Sequence, residues 1–152
     1  MLYSIIGHYS LILGLCLGLI LVYLSIKDFK NSKSLDDKIL SFTFLQLFCV
    51  VVSFLCLVLS FILSDFTNET VFNNSHTTKP LFYKIAGTWG NHEGSLLLWL
   101  LVLTLFIFVF LIKSNNQPKK YQILTLIFQQ IIIIGFFMFI IFTSNPFNYI
   151  YP

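Results

Sequence analysis

The sequence predicts an all-α polytopic membrane protein with four transmembrane helices, one long outward-facing loop and both termini outside. Three observations carry this expectation. The 152 residues are 57% hydrophobic and only 10% charged, where a soluble domain carries about 25% charged residues. Too little polar material remains to coat a globule in water. Four uncharged stretches, 1–26, 39–64, 94–112 and 121 to the end, each approach the ~20 residues a helix needs to cross the hydrocarbon core. They are continuous rather than alternating, which favours helices over the strands of a β-barrel. The lysines, finally, gather in two of the three connections. Residues 1–152 are therefore expected to form a single membrane domain.

The first span is placed at 5–26. Gly14 and Gly18 form a GxxxG step, with Gly7 a heptad back on the same face; small residues at this spacing let two helix backbones approach closely. The connection 27–38 carries Lys27, Lys30, Lys33 and Lys38. In the second span, 39–63, Gln46, Cys49, Ser53, Cys56 and Ser60 fall at i, i+3, i+7, i+10 and i+14. That is one polar and small stripe, better buried against a neighbouring helix than turned to lipid.

The loop 64–94 holds only Lys79 and Lys84. Within it Pro80 suits the first turn of a helix. Phe82, Ile85, Trp89 and Leu96 repeat at helical spacing, so this piece is expected to lie along the membrane surface before turning in as span three. Tyr83, Trp89 and Trp99 then sit near the interface, where amphipathic rings are favoured. Gly87, Gly90 and Gly94 permit a bend there. The third span, 95–112, is short and is expected to begin a turn earlier. The connection 113–120 carries Lys113, Lys119 and Lys120, and the fourth span, 121–142, contains the adjacent pair Gln129 and Gln130. Positive charge stays on the cytoplasmic or matrix side. The two lysine-rich connections are thus expected inside, and the termini and loop 64–94 outside.

A net charge of +3 with no basic face argues against a nucleic-acid partner; the expected surroundings are membrane lipid. No span carries an ionisable residue at mid-membrane, which disfavours a channel or pump. Cys16, Cys49 and Cys56 lie in apolar runs without a CxxC, so they form neither a disulfide framework nor a zinc site. The first run is too long for a signal-peptide core and lacks a preceding positive charge, so it is expected to be retained. All nine basic residues are Lys, and Ile, Phe, Asn and Tyr are abundant. That composition fits an AT-rich, organellar genome. A mitochondrial inner membrane is expected, with a bacterial inner membrane as the alternative. The sequons at Asn68 and Asn73 are then expected to stay unglycosylated.

Reactive groups cluster only in the loop. His92-Glu93 opens an HExxH pattern, but position 96 is Leu96, so the zinc-binding arrangement fails. His76 is most simply a solvated residue. His8 and His92 both fall at the outer edge of a span, and two imidazoles at one depth could ligate a haem iron; interfacial hydrogen bonding is the commoner role. Glu93 is expected to pair with Lys84 or to cap the third span through the helix dipole. No CxxCH occurs, so covalent haem is not expected on this chain. No catalytic or metal-binding residue is assigned.

The stretch Trp89-Gly90-Asn91-His92-Glu93-Gly94-Ser95-Leu96-Leu97-Leu98-Trp99 strongly resembles the WGxHEGSLLLW segment of the CcmF/NrfE family, membrane haem lyases of cytochrome c maturation. Other pieces match in order. Gly7-His8-Tyr9-Ser10-Leu11 resembles the family's opening GHFAL, although Ile5 stands where the family has an acidic residue. Asp65-Phe66, Asn74-Ser75, Pro80 and Tyr83-Lys84 resemble its first outer loop, and Phe142-Thr143-Ser144-Asn145-Pro146-Phe147 its FTSNPF segment. The resemblance covers the N-terminal part of the family alone.

This resemblance implies a fragment of a lyase that attaches haem b to apocytochrome c, by holding vinyl groups against thiolates. Trp89, Gly90, His92, Glu93, Gly94, Ser95 and Trp99 would belong to the outer platform. Partner chains would bring the tryptophan-rich WWD segment and the haem-ligand histidines. Haem-delivery and thiol-reducing maturation factors would complete the set. The alternative is a small structural subunit of a respiratory complex; composition does not separate the two, and the motif at 89–99 favours the lyase.

Overall fold

The computed structural model describes residues 2–31 and 37–150; Lys33 of the first lysine group lies outside them. Four long helices dominate, α1 (Leu2–Asn31), α2 (Asp37–Ile62), α5 (His92–Lys113) and α6 (Lys119–Phe142). Two short ones, α3 (Glu69–Asn74) and α4 (Leu81–Gly87), lie between α2 and α5. Each long helix has the length and hydropathy to cross a membrane. Even α5, at 22 residues, rises about 33 Å. It begins at His92, one turn before position 95.

The spans close into a ring. α1 packs on α2, α2 on α5, α5 on α6, and α6 back on α1, with α1–α2 the most extensive seam and α5–α6 the thinnest. The core runs through Leu11 and Leu21 of α1, Val50 and Leu57 of α2, Leu100 and Ile107 of α5, and Ile133 and Phe137 of α6. Large apolar side chains such as Phe48, Phe106 and Phe128 point outward. Lipid is as apolar as the core, so helix association rests on close packing and buried polar contacts rather than on hydrophobic burial.

Both devices occur at one place. A Cβ at Gly14 would come within 2.8 Å of the Phe137 ring, and one at Gly18 within 2.9 Å of Gln46 Nε2. The glycines of α1 therefore admit α6 and α2 together. Gln46, Cys49, Ser53, Cys56 and Ser60 are all buried. Gln130 Nε2 donates to Gln46 Oε1 at 2.9 Å, while Gln46 Nε2 reaches Gln130 Oε1 and the Gly14 carbonyl, each at 3.3 Å. Ser60 returns its hydroxyl to the Cys56 carbonyl of its own helix.

The segment 64–94 is more structured than a plain loop. It contains α3, which the sequence reading did not foresee, and α4, which starts behind Pro80. The helical repeat of Phe82, Ile85, Trp89 and Leu96 does not form one continuous piece; α4 ends at Gly87 and a tight turn separates it from α5. At the opposite end, Ser114–Asn116 form a 3-10 turn. Gln122 ties that connection down by donating to the carbonyls of Ser114 and Gln117.

Candidate functional site

The end of the bundle that carries residues 64–94 also gathers the start of α1 and the tail after α6. Asn68 sits at the junction, fully buried. Its Oδ1 accepts from the Val71 N–H and caps α3, while its Nδ2 donates to Ser4 Oγ at 3.2 Å and to the Pro146 carbonyl at 2.9 Å. One amide thus joins three remote pieces of chain. An antiparallel bridge pairs Asn68 with Tyr149, flanked by Glu69 N–H to the Asn148 carbonyl at 2.9 Å and Ile150 N–H to the Thr67 carbonyl at 3.1 Å. Of the two sequons, only Asn73 is exposed.

The approach to this junction is a turn at Ser64, whose φ of 54° lies in the left-handed region. Lys84 Nζ donates to Ser64 Oγ at 2.7 Å, which docks α4 onto the end of α2. The expected pairing of Lys84 with Glu93 is replaced by this bond. Asp65 Oδ1 accepts from Thr67 Oγ1 at 2.6 Å and from the Thr67 N–H at 3.3 Å. Partial burial alone would raise the Asp65 carboxyl, but hydrogen bonds to its charged form, those from Thr67 among them, hold it below its ordinary value.

On α1, Gly7 and His8 receive the tail. The Phe147 ring lies against Gly7 in the space a Cβ would fill. Asn145 Nδ2 meets His8 Nδ1 at 3.1 Å, and Asn145 Oδ1 accepts from the Phe147 N–H at 3.0 Å. The second bond fixes which way the amide faces. His8 Nδ1 is therefore the acceptor, and in the neutral ring the proton sits on Nε2. An iron-ligating imidazole usually donates its other ring N–H to an acceptor, whereas His8 Nδ1 here faces the Asn145 amide nitrogen. A cavity of about 310 Å³ opens beside it, lined by His8, Glu69, Asn145, Phe147, Asn148 and Tyr149.

The stretch 87–95 folds as a turn sustained by one residue. Asn91 is the N-cap of α5; its Oδ1 accepts from the Gly94 N–H at 2.7 Å, and its Nδ2 donates to the carbonyls of Gly87 and Thr88 at 2.8 and 3.2 Å. The cap is thus Asn91, with Glu93 in the first turn behind it. Ser95 closes the turn, its N–H bonding the Asn91 carbonyl and its hydroxyl the His92 carbonyl. Gly94 faces the Thr88 carbonyl so closely that no side chain fits there. Gly90 N–H bonds the Ala86 carbonyl.

Trp89, His92 and Trp99 have a different part in this arrangement: all three are exposed, the indoles by 42% and 61%. His92, Leu96 and Trp99 follow one another at i, i+4 and i+7 and share a face of α5. His8 lies on α1, across the ring from α5, and is engaged by the tail. The described residues hold no cluster of three or more His, Cys, Asp or Glu that could bind a metal. The role of Asn91 was open to sequence reasoning, since Asn followed by an apolar run is a capping signal. The roles of Asn68 and Asn145 depend on contacts between remote segments and left no local mark.

No family model matches the chain. The cytochrome c-type biogenesis protein CycK of Bradyrhizobium diazoefficiens is 43% identical over 145 residues, which cover 93% of this chain and 22% of CycK. CycK of Rhizobium meliloti is 37% identical over 148 residues, 97% of this chain and 22% of its own length. The cytochrome c-type biogenesis protein CcmF of Escherichia coli is 41% identical over 111 residues, 73% of this chain and 17% of CcmF. Among solved structures, the cytochrome c heme lyase CcmF superposes with a TM-score of 0.85 at 23% identity, over 96% of this chain and 25% of that one. The fold is therefore shared. The chain spans about a fifth to a quarter of the length of these proteins.

Proposed function

The chain is a homologue of the N-terminal region of the CcmF/CycK/NrfE family of cytochrome c-type biogenesis proteins, and we propose that it serves as the N-terminal membrane module of a cytochrome c haem lyase. In this reading it supplies scaffold and one face of the platform on which haem meets apocytochrome c. The lyase acts by holding the haem vinyl groups against the two thiols of the apoprotein, which is catalysis by proximity and orientation. The remaining three quarters or so of the relatives' length would bring the tryptophan-rich segment and the histidines that clamp haem.

The observation that carries this proposal is the turn at 87–95. Its own atoms are consumed in backbone closure, and that closure holds Trp89, His92 and Trp99 outward on a rigid helix start. Rigid exposed aromatics beside an imidazole make a surface suited to a flat, apolar macrocycle or to the peptide that receives it. The lysine pattern supports placing this end in the intermembrane space or periplasm, with Lys27, Lys30, Lys113, Lys119 and Lys120 at the other end. A mitochondrial inner membrane suits the lysine-only composition, and a bacterial inner membrane suits the relatives. Apocytochrome c, haem-delivery factors and thiol-reducing factors would be the working partners.

Replacing His92 by Ala tests the proposal. The variant is expected to lower holocytochrome c yield severalfold while the assembled lyase keeps its haem absorption spectrum. Unchanged maturation in both His92→Ala and Trp89→Ala would overturn the platform role. Loss of the haem spectrum from an intact complex would instead make His92 a haem ligand.

A further inference from the structure

The tail after α6 is held to α1 by a contact that exists in only one protonation state. Asn145 Oδ1 accepts the Phe147 N–H at 3.0 Å, which turns Asn145 Nδ2 toward the His8 ring, 3.1 Å from Nδ1. An amide nitrogen can only donate, so His8 Nδ1 has to accept. The neutral imidazole has one acceptor nitrogen; the imidazolium has none, since both of its nitrogens donate. Turning the ring over therefore restores nothing once His8 is charged.

Turning the amide over does not help either. It would bring Oδ1 to the imidazolium but leave Nδ2 against the Phe147 N–H, donor to donor. The bond that closes the turn from Asn145 to Phe147 would be lost, and that turn seats the Phe147 ring in the notch at Gly7. Pro146, between the two, gives its carbonyl to Asn68, and beyond Phe147 the chain pairs with residues 67–69. A proton on His8 thus acts on the first in a row of contacts that tie the tail to α1 and the loop.

The proton also has a way in. His8 is half-buried and lines the cavity of about 310 Å³ together with the exposed Glu69 and Asn148. Among the described residues, the ionisable groups sharing that cavity are the Glu69 carboxylate of α3 and the Tyr149 phenol of the tail. Tyr9, on α1 itself, meets the imidazole edge-on. Over 39–63 and 122–142, α2 and α6 carry no acid, amine or imidazole, and their titratable groups are the thiols of Cys49 and Cys56. Neither helix therefore sets a fixed cation against a charged His8. Imidazole is the side chain that changes charge between about pH 5 and 8.

We infer that the His8–Asn145 contact is a proton-operated latch: neutral His8 holds the tail docked on α1 and the loop, and protonated His8 releases it. One proton is taken up per release, so the ratio of released to docked tail rises by at most about tenfold for each unit that the pH falls. The latch belongs to these residues alone and goes beyond the platform reading.

Paired spin labels on the full chain in lipid nanodiscs test it. Cysteines replace Phe72 of α3 and Ile150 of the tail, both exposed, in a Cys16→Ser background, and pulsed dipolar spectroscopy reads the distance between them. One short, narrow distance is expected at about pH 8, yielding to a longer and broader component by about pH 5.5. His8→Gln keeps a side chain that can accept from Asn145 but does not titrate, so its distance should stay short throughout. Asn145→Asp sets an acceptor against the ring and still receives the Phe147 N–H. Its slope should reverse, the tail docking more firmly as the pH falls. A parent distance that does not change over this range overturns the inference. So does a parent slope that survives in His8→Gln, which would assign the proton to Glu69 or another group. Should His8→Gln fail to assemble, Asn145→Asp decides alone, and a slope of the parent's sign there overturns the latch.

Discussion

Gln46 of α2 and Gln130 of α6 exchange amide hydrogen bonds at 2.9 and 3.3 Å in the middle of the bundle, although neither helix counts the other as its main neighbour. The gap at Gly18 makes the exchange possible. Gln46 also reaches the Gly14 carbonyl, so one amide fastens three helices.

Removing one glutamine leaves the other's amide buried without a partner, which costs about 1–3 kcal/mol; interhelical hydrogen bonds in membranes average nearer ~0.6 kcal/mol. Gln130→Leu is therefore expected to destabilise the bundle by about 1–2 kcal/mol. The double variant with Gln46→Leu should be less destabilised than the sum of the singles. Thermal unfolding in mild detergent of all four proteins completes the cycle, and strict additivity would show that the two side chains do not interact.

The tie at Asn68 should govern the loop. Asn68→Ala removes the α3 cap and both long-range hydrogen bonds of the amide nitrogen, leaving Ser4 Oγ and the Pro146 carbonyl without that partner. A cap alone is worth about 1 kcal/mol. Limited proteolysis is expected to cut the exposed stretch Thr77–Thr78 faster, and to release the tail at Asn148. A digestion pattern identical to the unaltered protein would remove Asn68 from its role as the joint.

How much of this was legible beforehand follows from where each signal resides. Apolar run length and lysine placement are local, and they specify four spans and the split between the two ends. The stripe from Gln46 to Ser60 is periodic, so its burial could be expected from spacing alone. The partner of Gln46 could not, because Gln130 lies 84 residues away and nothing in its neighbourhood marks it over Gln129. α3 escaped notice because Glu69–Asn74 is too short for a periodic pattern and owes its cap to a residue anchored by the tail. Glu93 drew the capping role on charge, whereas a cap requires an acceptor at the residue before the helix, and that residue is Asn91.

The turn at 87–95 offers a sharp contrast between two substitutions. Asn91→Asp keeps the acceptor for the Gly94 N–H and loses the donors to Gly87 and Thr88, so it should cost less than Asn91→Ala, whose lost cap is worth about 1 kcal/mol. Gly94→Ala cannot be accommodated without moving the Thr88 carbonyl. It is expected to lower holocytochrome c yield more than either Asn91 variant, because the shift carries His92 and Trp89 with it. Equal maturation in Gly94→Ala and the parent would disprove the geometric demand.

Asp65 predicts an acid limb. Its carboxyl is held below the ordinary value in the fold, so the stabilisation it contributes is present above the unfolded pKa, near 3.9, and is lost as pH falls through the folded value. Asp65→Asn should lower stability at neutral pH and converge on the parent at acid pH, which flattens the profile below about pH 4. A steep acid limb that survives in the variant assigns it to another carboxylate.

The disposition of the two ends is open to a chemical test. Asn68 bonds both Ser4 and Pro146, so the start of the first helix, the loop and the tail must share one side of the membrane. The connection around Asn116 lies at the other end of α5 and α6. Lysine retention assigns that second end to the inside. Ser75 is a poor reporter because it is buried, whereas Thr77, Asn116 and Asn148 are exposed. Cysteines placed singly at these three positions, in a Cys16→Ser background, should divide when an impermeant maleimide is added to mitoplasts or intact bacterial cells. Positions 77 and 148 are expected to label and 116 to label only after permeabilisation. Labelling of 116 alone would invert the orientation and leave the bundle intact. Labelling that separated 77 from 148 would contradict the fold itself, since no four-helix arrangement with Asn68 bonded to Pro146 can put them on opposite sides.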